Sequence, residues 1–432
     1  MRRRFTPLAA AIAAAFVPLL LAGPARATNG YFQHGIGIKA EGMGGASIAV
    51  PQDALAAANN PANMAFVGNR FDIGLTWFMP SRSATVSGIP NFPPPFPNFN
   101  GEFDGDGKTN FFIPELGYNR MLSNSMSLGV SVYGNGGLNT TYKTPIPLFG
   151  TTNAGVDVSQ LFIAPTVAYK IATDHSLGFA LNLAYQRFKA SGLQNFTPYS
   201  SSPANLTDRG YDDSFGWGFR IGYTGRLTPS LTVGATYQSK TWMSEFDNYR
   251  GLFAEQGDFD VPANYGIGIA FKPVPQMTLA FDVVRIEYEG VASVSNPLLP
   301  NLAQAPLGAA GGAGFGWENV TAYKFGVDYM VNPEWTLRAG YNYGKQPIPA
   351  SETLFNILAP GTIEQHFTLG ATWTLANKSE LSFAFMYAPE KEVRGPGSVP
   401  TAGLFQQPGL PNGNADIRLQ EVSFGIAYGW RF

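Results

Sequence analysis

The sequence has no cysteine and carries little charge. Lys, Arg, Asp and Glu make up 13% of the 432 residues, whereas soluble globular domains carry about 25%. The absence of cysteine excludes disulfides, thiolate metal sites, cysteine nucleophiles and a lipid anchor on an N-terminal cysteine. The longest strongly apolar run, residues 8–22, is shorter than the roughly 20 residues of a membrane-spanning helix. A typical soluble enzyme and a helical membrane protein are therefore both excluded.

The chain is instead rich in aromatic residues and glycine. Aromatic residues make up 14%, hydrophobic residues make up 45%, and there are 50 glycines. A transmembrane β-barrel reconciles few charges with many aromatics, because apolar and polar residues alternate along its strands. The net charge is −2, and it becomes −6 if the first 27 residues are removed with their four arginines. This balance provides no basic surface for nucleic acid, so no nucleic-acid partner is expected.

Residues 1–27 predict a secretory signal peptide. Arginines occupy positions 2–4, the apolar run follows, and Ala25-Arg26-Ala27 fits an Ala-x-Ala cleavage site. We therefore expect the mature chain to begin at Thr28.

Alternation with a period of two predicts β-strands through most of residues 68–432. In residues 215–223, large apolar residues alternate with three glycines and one arginine, and residues 335–343 show the same pattern. The polar face is small and nearly uncharged, unlike the Lys- and Glu-rich outer face of a soluble sandwich. Because backbone groups in lipid must pair within the protein, such a sheet has to close.

Six short and seven long connections set the number of strands. The short ones lie near 122–126, 171–176, 226–231, 271–277, 330–335 and 375–381, and the long ones near 89–106, 139–156, 191–211, 244–261, 291–316, 346–362 and 389–414. They separate fourteen antiparallel strands. Outer-membrane barrels have short periplasmic turns and long extracellular loops, so both termini are expected in the periplasm of a bacterial cell. The alternation ends on Phe432, which is similar to the assembly signal of outer-membrane proteins and makes the assembly machinery an expected partner.

Residues 28–67 lack the alternation, and they predict a plug. The stretch is rich in glycine and alanine. Because fourteen strands enclose a lumen too wide for wall side chains to fill, we expect this stretch to fill it.

At this point the sequence resembles the FadL/TodX family of outer-membrane transporters of hydrophobic compounds. The resemblance is carried by Gly30-Tyr31-Phe32-Gln33, by the glycine-rich stretch that ends at Gly45-Ala46, by Asn60-Pro61-Ala62 and by the barrel layout. Asn60-Pro61-Ala62 is similar to the family's Asn-Pro-Ala hatch motif. The resemblance implies a monomeric fourteen-stranded barrel with an N-terminal hatch. It also implies uptake of long-chain fatty acids or aromatic hydrocarbons by passive diffusion.

The resemblance further implies where ligand is bound and released. In the family, ligand binds near the mature N-terminus, which corresponds here to Thr28, Asn29, Gly30, Tyr31 and Phe32. The family's third strand bends inward and opens the wall sideways into membrane lipid. The third predicted strand here contains Gly134, Asn135, Gly136 and Gly137. Glycines permit such a kink, so the lateral opening is expected there.

Strand parity predicts that six charged residues face the lumen. They are Glu115, Arg220, Asp282, Lys324, Asp328 and Arg338. Most should pair with each other or with the plug, because an unpaired buried charge is costly. Lys324 and Arg338 are the candidate partners for a ligand carboxylate, because they are cationic.

Two other functions stay open from the sequence. A general diffusion porin would need an open lumen, and a surface adhesin or receptor would use the long loops. Apolar residues in the first and fifth loops favour capture of an apolar ligand or packing between loops: Phe92, Phe96, Phe99, Phe103, Leu298, Leu299, Leu302 and Leu307.

Enzymatic activity, a metal site and a cofactor are not expected. The sequence contains no Gly-x-Ser-x-Gly elbow and no phosphate-binding loop. The three histidines, His34, His175 and His366, are predicted to lie apart from one another.

Overall fold

The computed structural model describes residues 29–299, 301–404 and 409–432. The signal peptide and Thr28 lie outside the described residues. No helix in the described part of the chain is long and apolar enough to cross a membrane.

Fourteen antiparallel strands form a closed barrel, as the connection pattern predicts. They are β1 (Arg70–Ser87), β2 (Phe111–Met121), β3 (Met126–Thr141), β4 (Gly155–Ala172), β5 (His175–Ser191), β6 (Asp212–Thr228), β7 (Leu231–Gln238), β8 (Asn264–Val274), β9 (Met277–Ile286), β10 (Val320–Met330), β11 (Trp335–Gly344), β12 (Gln365–Thr374), β13 (Glu380–Val393) and β14 (Asn414–Arg431). Each strand pairs with its neighbour in the sequence. β1 pairs with β14 from Arg70 opposite Arg431 to Ser87 opposite Asn414, which closes the barrel.

The alternation places large apolar side chains on the outside of the wall. On β6, for example, Phe215, Trp217 and Ile221 are exposed, whereas Ser214 and Thr224 are buried on the inner face. The outer face is therefore a continuous apolar surface suited to lipid. Much of the inner face is glycine, and this lets other parts of the chain approach the wall closely.

Residues 29–67, called here the plug segment, lie inside the barrel and are almost entirely buried. The segment contains helices Ile38–Glu41 and Met64–Val67 and 3₁₀ turns Ala56–Ala58 and Pro61–Asn63. It contains no strand of its own, and positive φ angles at Gly30, Gly37, Gly44 and Gly45 interrupt extended backbone in its first part.

Long loops gather at one end of the barrel, the loop end, and short turns at the other, the short-turn end. The loops carry strands Gly101–Asp104 and Trp242–Met243, helices Ala254–Gly257, Ala292–Ser295, Asn301–Gln304, Thr353–Asn356 and Thr401–Leu404, and 3₁₀ turns Gln194–Tyr199, Pro203–Asn205, Asp247–Tyr249, Tyr288–Gly290 and Ala350–Glu352. Buried apolar residues of these loops continue into the plug segment as one hydrophobic core.

Candidate ligand path through the barrel

Two carboxylates of the wall hold the backbone of the plug segment. Glu115 accepts hydrogen bonds from the N–H groups of residues 37 and 38, both at 3.1 Å. Asp282 accepts from the N–H groups of residues 47 and 48, at 2.7 and 2.9 Å. Hydrogen bonds to an ionised carboxylate are among the stronger ones. Two of the six predicted lumen charges therefore fasten the plug segment to opposite parts of the wall.

A buried ionic network adds a third attachment at the short-turn end. Glu380 lies 2.5 Å from the Lys39 ammonium and 2.9 Å from the Arg70 guanidinium. Arg70 also binds Asp72 through two nitrogens, at 2.8 and 2.6 Å. Asp72 in turn accepts from the N–H of Ala54 at 2.9 Å. Burial, together with the nearby Arg70, lowers the pKa of Lys39, so this attachment depends on the Glu380 carboxylate to keep Lys39 charged.

Asn60 is the most highly connected residue of the Asn60-Pro61-Ala62 motif. Its side-chain oxygen accepts from the N–H of Ala62 at 3.1 Å and begins a 3₁₀ turn with proline in its first position. Its side-chain nitrogen donates to the carbonyls of Ile48 and Tyr223, at 2.8 and 3.0 Å, and to the Thr224 hydroxyl at 3.0 Å. The motif thus joins two parts of the plug segment to β6.

Glycines of the wall make this close approach possible. A Cβ at Gly222 would lie 1.9 Å from the Asn60 side-chain oxygen, and one at Gly178 would lie 2.3 Å from the Ala62 nitrogen. Any larger residue on these inner faces would push the motif away from the wall.

The start of the described chain is fixed by Tyr288, in the fifth long loop. The Tyr288 hydroxyl accepts from the N–H of Tyr31 at 3.1 Å and donates to the carbonyl of Asn29 at 2.5 Å. Burial raises the pKa of both tyrosines, so Tyr288 keeps the proton that it donates. Gly30 lies between Asn29 and Tyr31 in the chain and has φ +72°, and the Tyr288 side chain leaves no room there for a Cβ. The Tyr31 ring stacks on Phe32 with centroids 5.3 Å apart.

An apolar cavity of ≈ 30 Å³ adjoins the Tyr31 ring. It is called here the aromatic cavity, and it is lined by Tyr31, Leu138, Val156, Val158, Phe188, Phe253, Phe259, Val294, Phe315, Trp317 and Ala359. These residues come from the plug segment, from β3 to β5 and from the loops above them. Its volume is enough for about one or two water molecules. The lining is suited to an apolar ligand, provided that side chains move to admit one.

β3 leaves the regular wall at the glycines singled out above. β3 pairs with β2 only from Ser127 to Val132. Its register with β4 shifts between Gly134 and Gly136, which marks a bulge. Residues 133–140 pair with β4 but not with β2, and they are called here the unpaired stretch of β3. They are buried on both faces. This part of the strand therefore runs within the protein.

The plug segment takes the place of β2 along the unpaired stretch. Phe32 forms a bridge with Gly136, and the N–H of Gly137 donates to the carbonyl of Tyr31 at 3.1 Å. The Gln33 side chain donates to the carbonyl of Gly134 at 2.6 Å. Asn135 donates from its amide to the Gln160 side chain on β4 at 2.9 Å. The predicted kink residues and the predicted N-terminal ligand residues are thus in direct contact.

The two candidate carboxylate partners lie in different surroundings. Arg338 lies 2.8 Å from Asp328 and donates to the Thr372 hydroxyl at 2.7 Å, near the short-turn end. Lys324 is buried opposite Asp282 on the next strand. Among the described residues, its ammonium makes no hydrogen bond or ion pair. Lys324 is therefore the less engaged of the two cations.

Lys324 belongs to a row of polar residues across three strands. Lys324 is opposite Asn342, and Asn342 is opposite His366. Asn342 and His366 are fully buried, and their side-chain polar atoms have no hydrogen-bond partner among the described residues. His34 of the plug segment stacks on His366 with ring centroids 5.4 Å apart.

The predicted separation of the histidines is wrong for this pair. The plug segment carries residue 34 across the lumen to β12, which sequence distance does not reveal. His175 lies apart, hydrogen-bonded to Tyr223 at 2.7 Å. No group of three or more metal-ligating side chains is arranged to hold a metal ion within the described ranges.

Most of the apolar loop residues pack within the protein. Phe99, Phe103, Leu298, Leu302 and Leu307 are buried, whereas Phe96 and Leu299 are exposed. Tyr288 and Trp317, which hold and line the site, were not singled out from the sequence. Each lies in a loop without a periodic pattern that would mark it.

Comparisons with known proteins identify the fold and the family. Residues 33–396 match the family model described as "Outer membrane protein transport protein (OMPP1/FadL/TodX)". Three similar solved structures are the P. putida toluene transporter TodX, a Pseudomonas aeruginosa FadL homologue and the Ralstonia pickettii toluene transporter TbuX. Their identities to this chain are 17%, 16% and 18%, and their TM-scores are 0.68, 0.68 and 0.62. The alignments cover 92%, 93% and 92% of this chain and 99%, 100% and 99% of the respective structures.

A search of curated protein sequences found no match. At these identities the solved structures establish the fold, and the family model establishes membership. The chain therefore belongs to the OMPP1/FadL/TodX family of outer-membrane transport proteins.

Proposed function

We propose that this protein takes up hydrophobic compounds across the bacterial outer membrane by passive diffusion. The plug segment acts as the hatch, and ligand leaves sideways through the wall beside the unpaired stretch of β3. The observation that carries the proposal is that Leu138 of the unpaired stretch lines the aromatic cavity. The loop end faces the outside of the cell, and both termini face the periplasm, as in other outer-membrane barrels. Two of the similar structures are toluene transporters, which supports an apolar ligand.

Lateral exit solves an energetic problem of such a transporter. Burying one methylene group contributes about 0.8 kcal/mol, so a chain of about fifteen could gain up to about 12 kcal/mol if fully buried. A ligand held so tightly would leave too slowly for useful flux into water. Membrane lipid offers a second apolar phase, so little of that free energy is lost on release.

Ligand entry at the aromatic cavity is expected to act on the wall through Tyr31. The cavity of ≈ 30 Å³ must enlarge to hold even one aromatic ring, so the Tyr31 ring or its neighbours must move. The backbone carbonyl of Tyr31 accepts from Gly137 on the unpaired stretch. Movement of Tyr31 would therefore release part of β3 at the point of exit. A ligand that binds better to this rearranged state favours it by mass action.

The ligand class depends on whether a charged head group has a partner. Lys324 has no ion pair among the described residues, whereas Arg338 is bound to Asp328. A fatty-acid carboxylate would gain Lys324 as a partner, and an aromatic hydrocarbon would not use it. Weaker binding of a fatty acid by Lys324→Met, with unchanged binding by Arg338→Met, would indicate fatty acids as the ligand.

The function is tested by measuring hydrophobic uptake and ion conductance with the same purified protein. In proteoliposomes, wild-type protein should accelerate uptake of a fluorescent fatty acid or of toluene, and it should conduct few ions in planar bilayers. Asn60→Ala removes a side-chain amide whose two N–H groups serve acceptors in the plug segment and on β6. Because a buried polar group left without its partner costs about 1–3 kcal/mol, the variant should loosen the plug segment and raise conductance. Asn98→Ala, in the first loop, is the control and should behave as wild type. Steady conductance in wild type without accelerated uptake would instead indicate a general porin.

A further inference from the structure

Two cations that form no ion pair with any described residue lie on the outer surface of the barrel, near the loop end of β5. The side chains of residues 184, 186 and 188 are buried inside, so the alternate residues Arg187 and Lys189 face outward. Both lie over one aromatic ring. The Arg187 guanidinium is 3.4 Å from the centroid of Tyr211, and the Lys189 ammonium is 5.5 Å from it. The ring holds the two positive groups side by side.

Cations at the loop ends of four other strands are neutralised. Arg285 pairs with Glu287 at 3.4 Å, Lys345 with Glu318 at 3.6 Å, Lys391 with Glu364 at 2.6 Å and Arg418 with Glu392 at 2.6 Å. Among the described residues, Arg187 and Lys189 have no such partner.

The acidic residues next to this pair already have other partners. Asp213, opposite Arg187 in register, accepts a hydrogen bond from the Tyr185 hydroxyl at 2.6 Å. Asp157, opposite Lys189, binds Lys108 at 2.9 Å and accepts from the Tyr211 hydroxyl at 3.1 Å. Neither carboxylate forms an ion pair with Arg187 or Lys189 in the described part of the chain, so both cations can bind an external anion.

The wall directly below the pair is apolar and strongly exposed. Phe215 is 66% exposed and Trp217 is 55% exposed, and Leu183 beside them is also exposed. Arg187 is four residues beyond Leu183 along β5, which is roughly 13 Å of strand. This spacing places the positive pair just above a surface suited to acyl chains, at the depth of lipid head groups.

We propose that Arg187 and Lys189 form a binding site for the phosphate of a phosphorylated glycolipid in the outer leaflet. The guanidinium and ammonium bind the phosphate oxygens, and the acyl chains lie along Leu183, Phe215 and Trp217. Charge complementarity and the adjoining apolar wall favour a lipid phosphate over a soluble anion. This site does not use the ligand path. It rests on the orientation given under the proposed function, in which the loop end is extracellular.

The test compares binding of bisphosphorylated lipid A with binding of the same lipid after enzymatic dephosphorylation. Both are titrated into the purified full-length barrel in detergent and followed by native mass spectrometry. Wild type should prefer the phosphorylated lipid, and Arg187→Gln/Lys189→Gln should bind it about thirtyfold more weakly, which is about fivefold per cation. Lys345→Gln, which removes an outward cation already paired with Glu318, should bind as wild type.

Several outcomes would overturn the assignment. One is equal binding of the two lipids by wild type, a comparison that needs no variant and so does not depend on variant folding. Another is unchanged affinity in a double variant that retains heat-modifiable gel migration. Competition by inorganic phosphate as strong as that by the lipid would show a free-anion site instead. Labelling of Asn98→Cys on whole cells tests the orientation separately, and uptake measurements are independent of this binding assay.

Discussion

Two junctions between neighbouring strands of the barrel, called here seams, are built in opposite ways. The seam between the first and last strands, β1 and β14, is paired over all of β1, from Arg70 to Ser87. The seam between β2 and β3 is paired only where residues 116–121 face residues 127–132. The place where the chain closes on itself is thus fully sealed, and the discontinuity lies between two strands joined by a short turn.

The difference follows from residue type and from the need to satisfy the backbone. Residues 134–137 read Gly-Asn-Gly-Gly, which permits the bulge that turns β3 inward. Buried backbone groups need hydrogen-bond partners, and here Tyr31, Phe32 and Gln33 of the plug segment bond to the edge of β3 that β2 leaves free. The plug segment and the wall are therefore coupled at this seam, because movement of one leaves polar groups of the other without partners.

The largest expected effect comes from locking the β2–β3 seam. The protein has no cysteine, so a pair can be introduced as Ile113→Cys and Gly134→Cys. A Cβ at Gly134 would lie 3.1 Å from the Ile113 side chain, close enough for a disulfide with small adjustments. If ligand leaves here, oxidation should reduce uptake to the rate of protein-free liposomes, and reductant should restore it.

The sealed seam supplies the matched control for this experiment. Leu75 and Ile426 are opposite each other on β1 and β14 and are exposed on the outer surface. A disulfide between Leu75→Cys and Ile426→Cys should leave uptake unchanged. Equal inhibition by both disulfides would mean general rigidity of the barrel, and no inhibition by the first would exclude exit at β2–β3.

The sequence predicts the wall better than it predicts what the wall holds. Alternation assigns each strand residue to a face, so the lumen positions of Glu115 and Asp282 follow directly. Their partners do not follow, because the N–H groups at residues 37 and 47 are set by the path of the plug segment. That path depends on tertiary packing against inner-face glycines and has no periodicity of its own.

The same limit explains the residues that sequence reasoning missed. Tyr288 lies 257 positions from Tyr31, in a loop with no repeating pattern. His34 and His366 meet only because the plug segment crosses the lumen. Gly134 to Gly137, in contrast, could be singled out because four residues of low bulk interrupt an otherwise regular strand. Local composition thus identifies where a strand bends, but contacts between distant segments require the fold.

A smaller effect is expected from Gly136→Ala, which disturbs the β2–β3 seam without cross-linking it. The added Cβ would lie 2.3 Å from the carbonyl oxygen of Tyr31, so the N-terminal residues must shift, at a cost of about 1–3 kcal/mol. Hydrogen exchange of residues 29–36 should become faster, and ion conductance should rise. Gly290→Ala is the control, since its Cβ would meet nothing within 4 Å. Unchanged protection of residues 29–36 would contradict the coupling.

The smallest expected effect is a pH dependence of the stability of the loop beside the β2–β3 seam, and it arises from Asp258. This residue belongs to the loop whose Phe253 and Phe259 line the aromatic cavity. Burial, together with repulsion from Asp260, raises the pKa of Asp258 to about 6. Because the folded loop favours the protonated acid, its contribution to stability is complete below the ordinary pKa near 4 and is lost as the pH rises through about 6. Once the intrinsic pH dependence of amide exchange is divided out, residues 251–260 should therefore be several-fold less protected at pH 7.5 than at pH 5.

Asp258→Asn should abolish that difference by keeping the side chain neutral at both pH values. Asp247→Asn, which changes an exposed carboxylate of the same loop, should leave it intact. The strand residues of the β1–β14 seam should show no comparable change, because they are held by continuous pairing. A pH response of equal size at both seams would trace it to the barrel as a whole. A response confined to the loop and to residues 29–36 would show that the loop, the aromatic cavity and the β2–β3 seam loosen together.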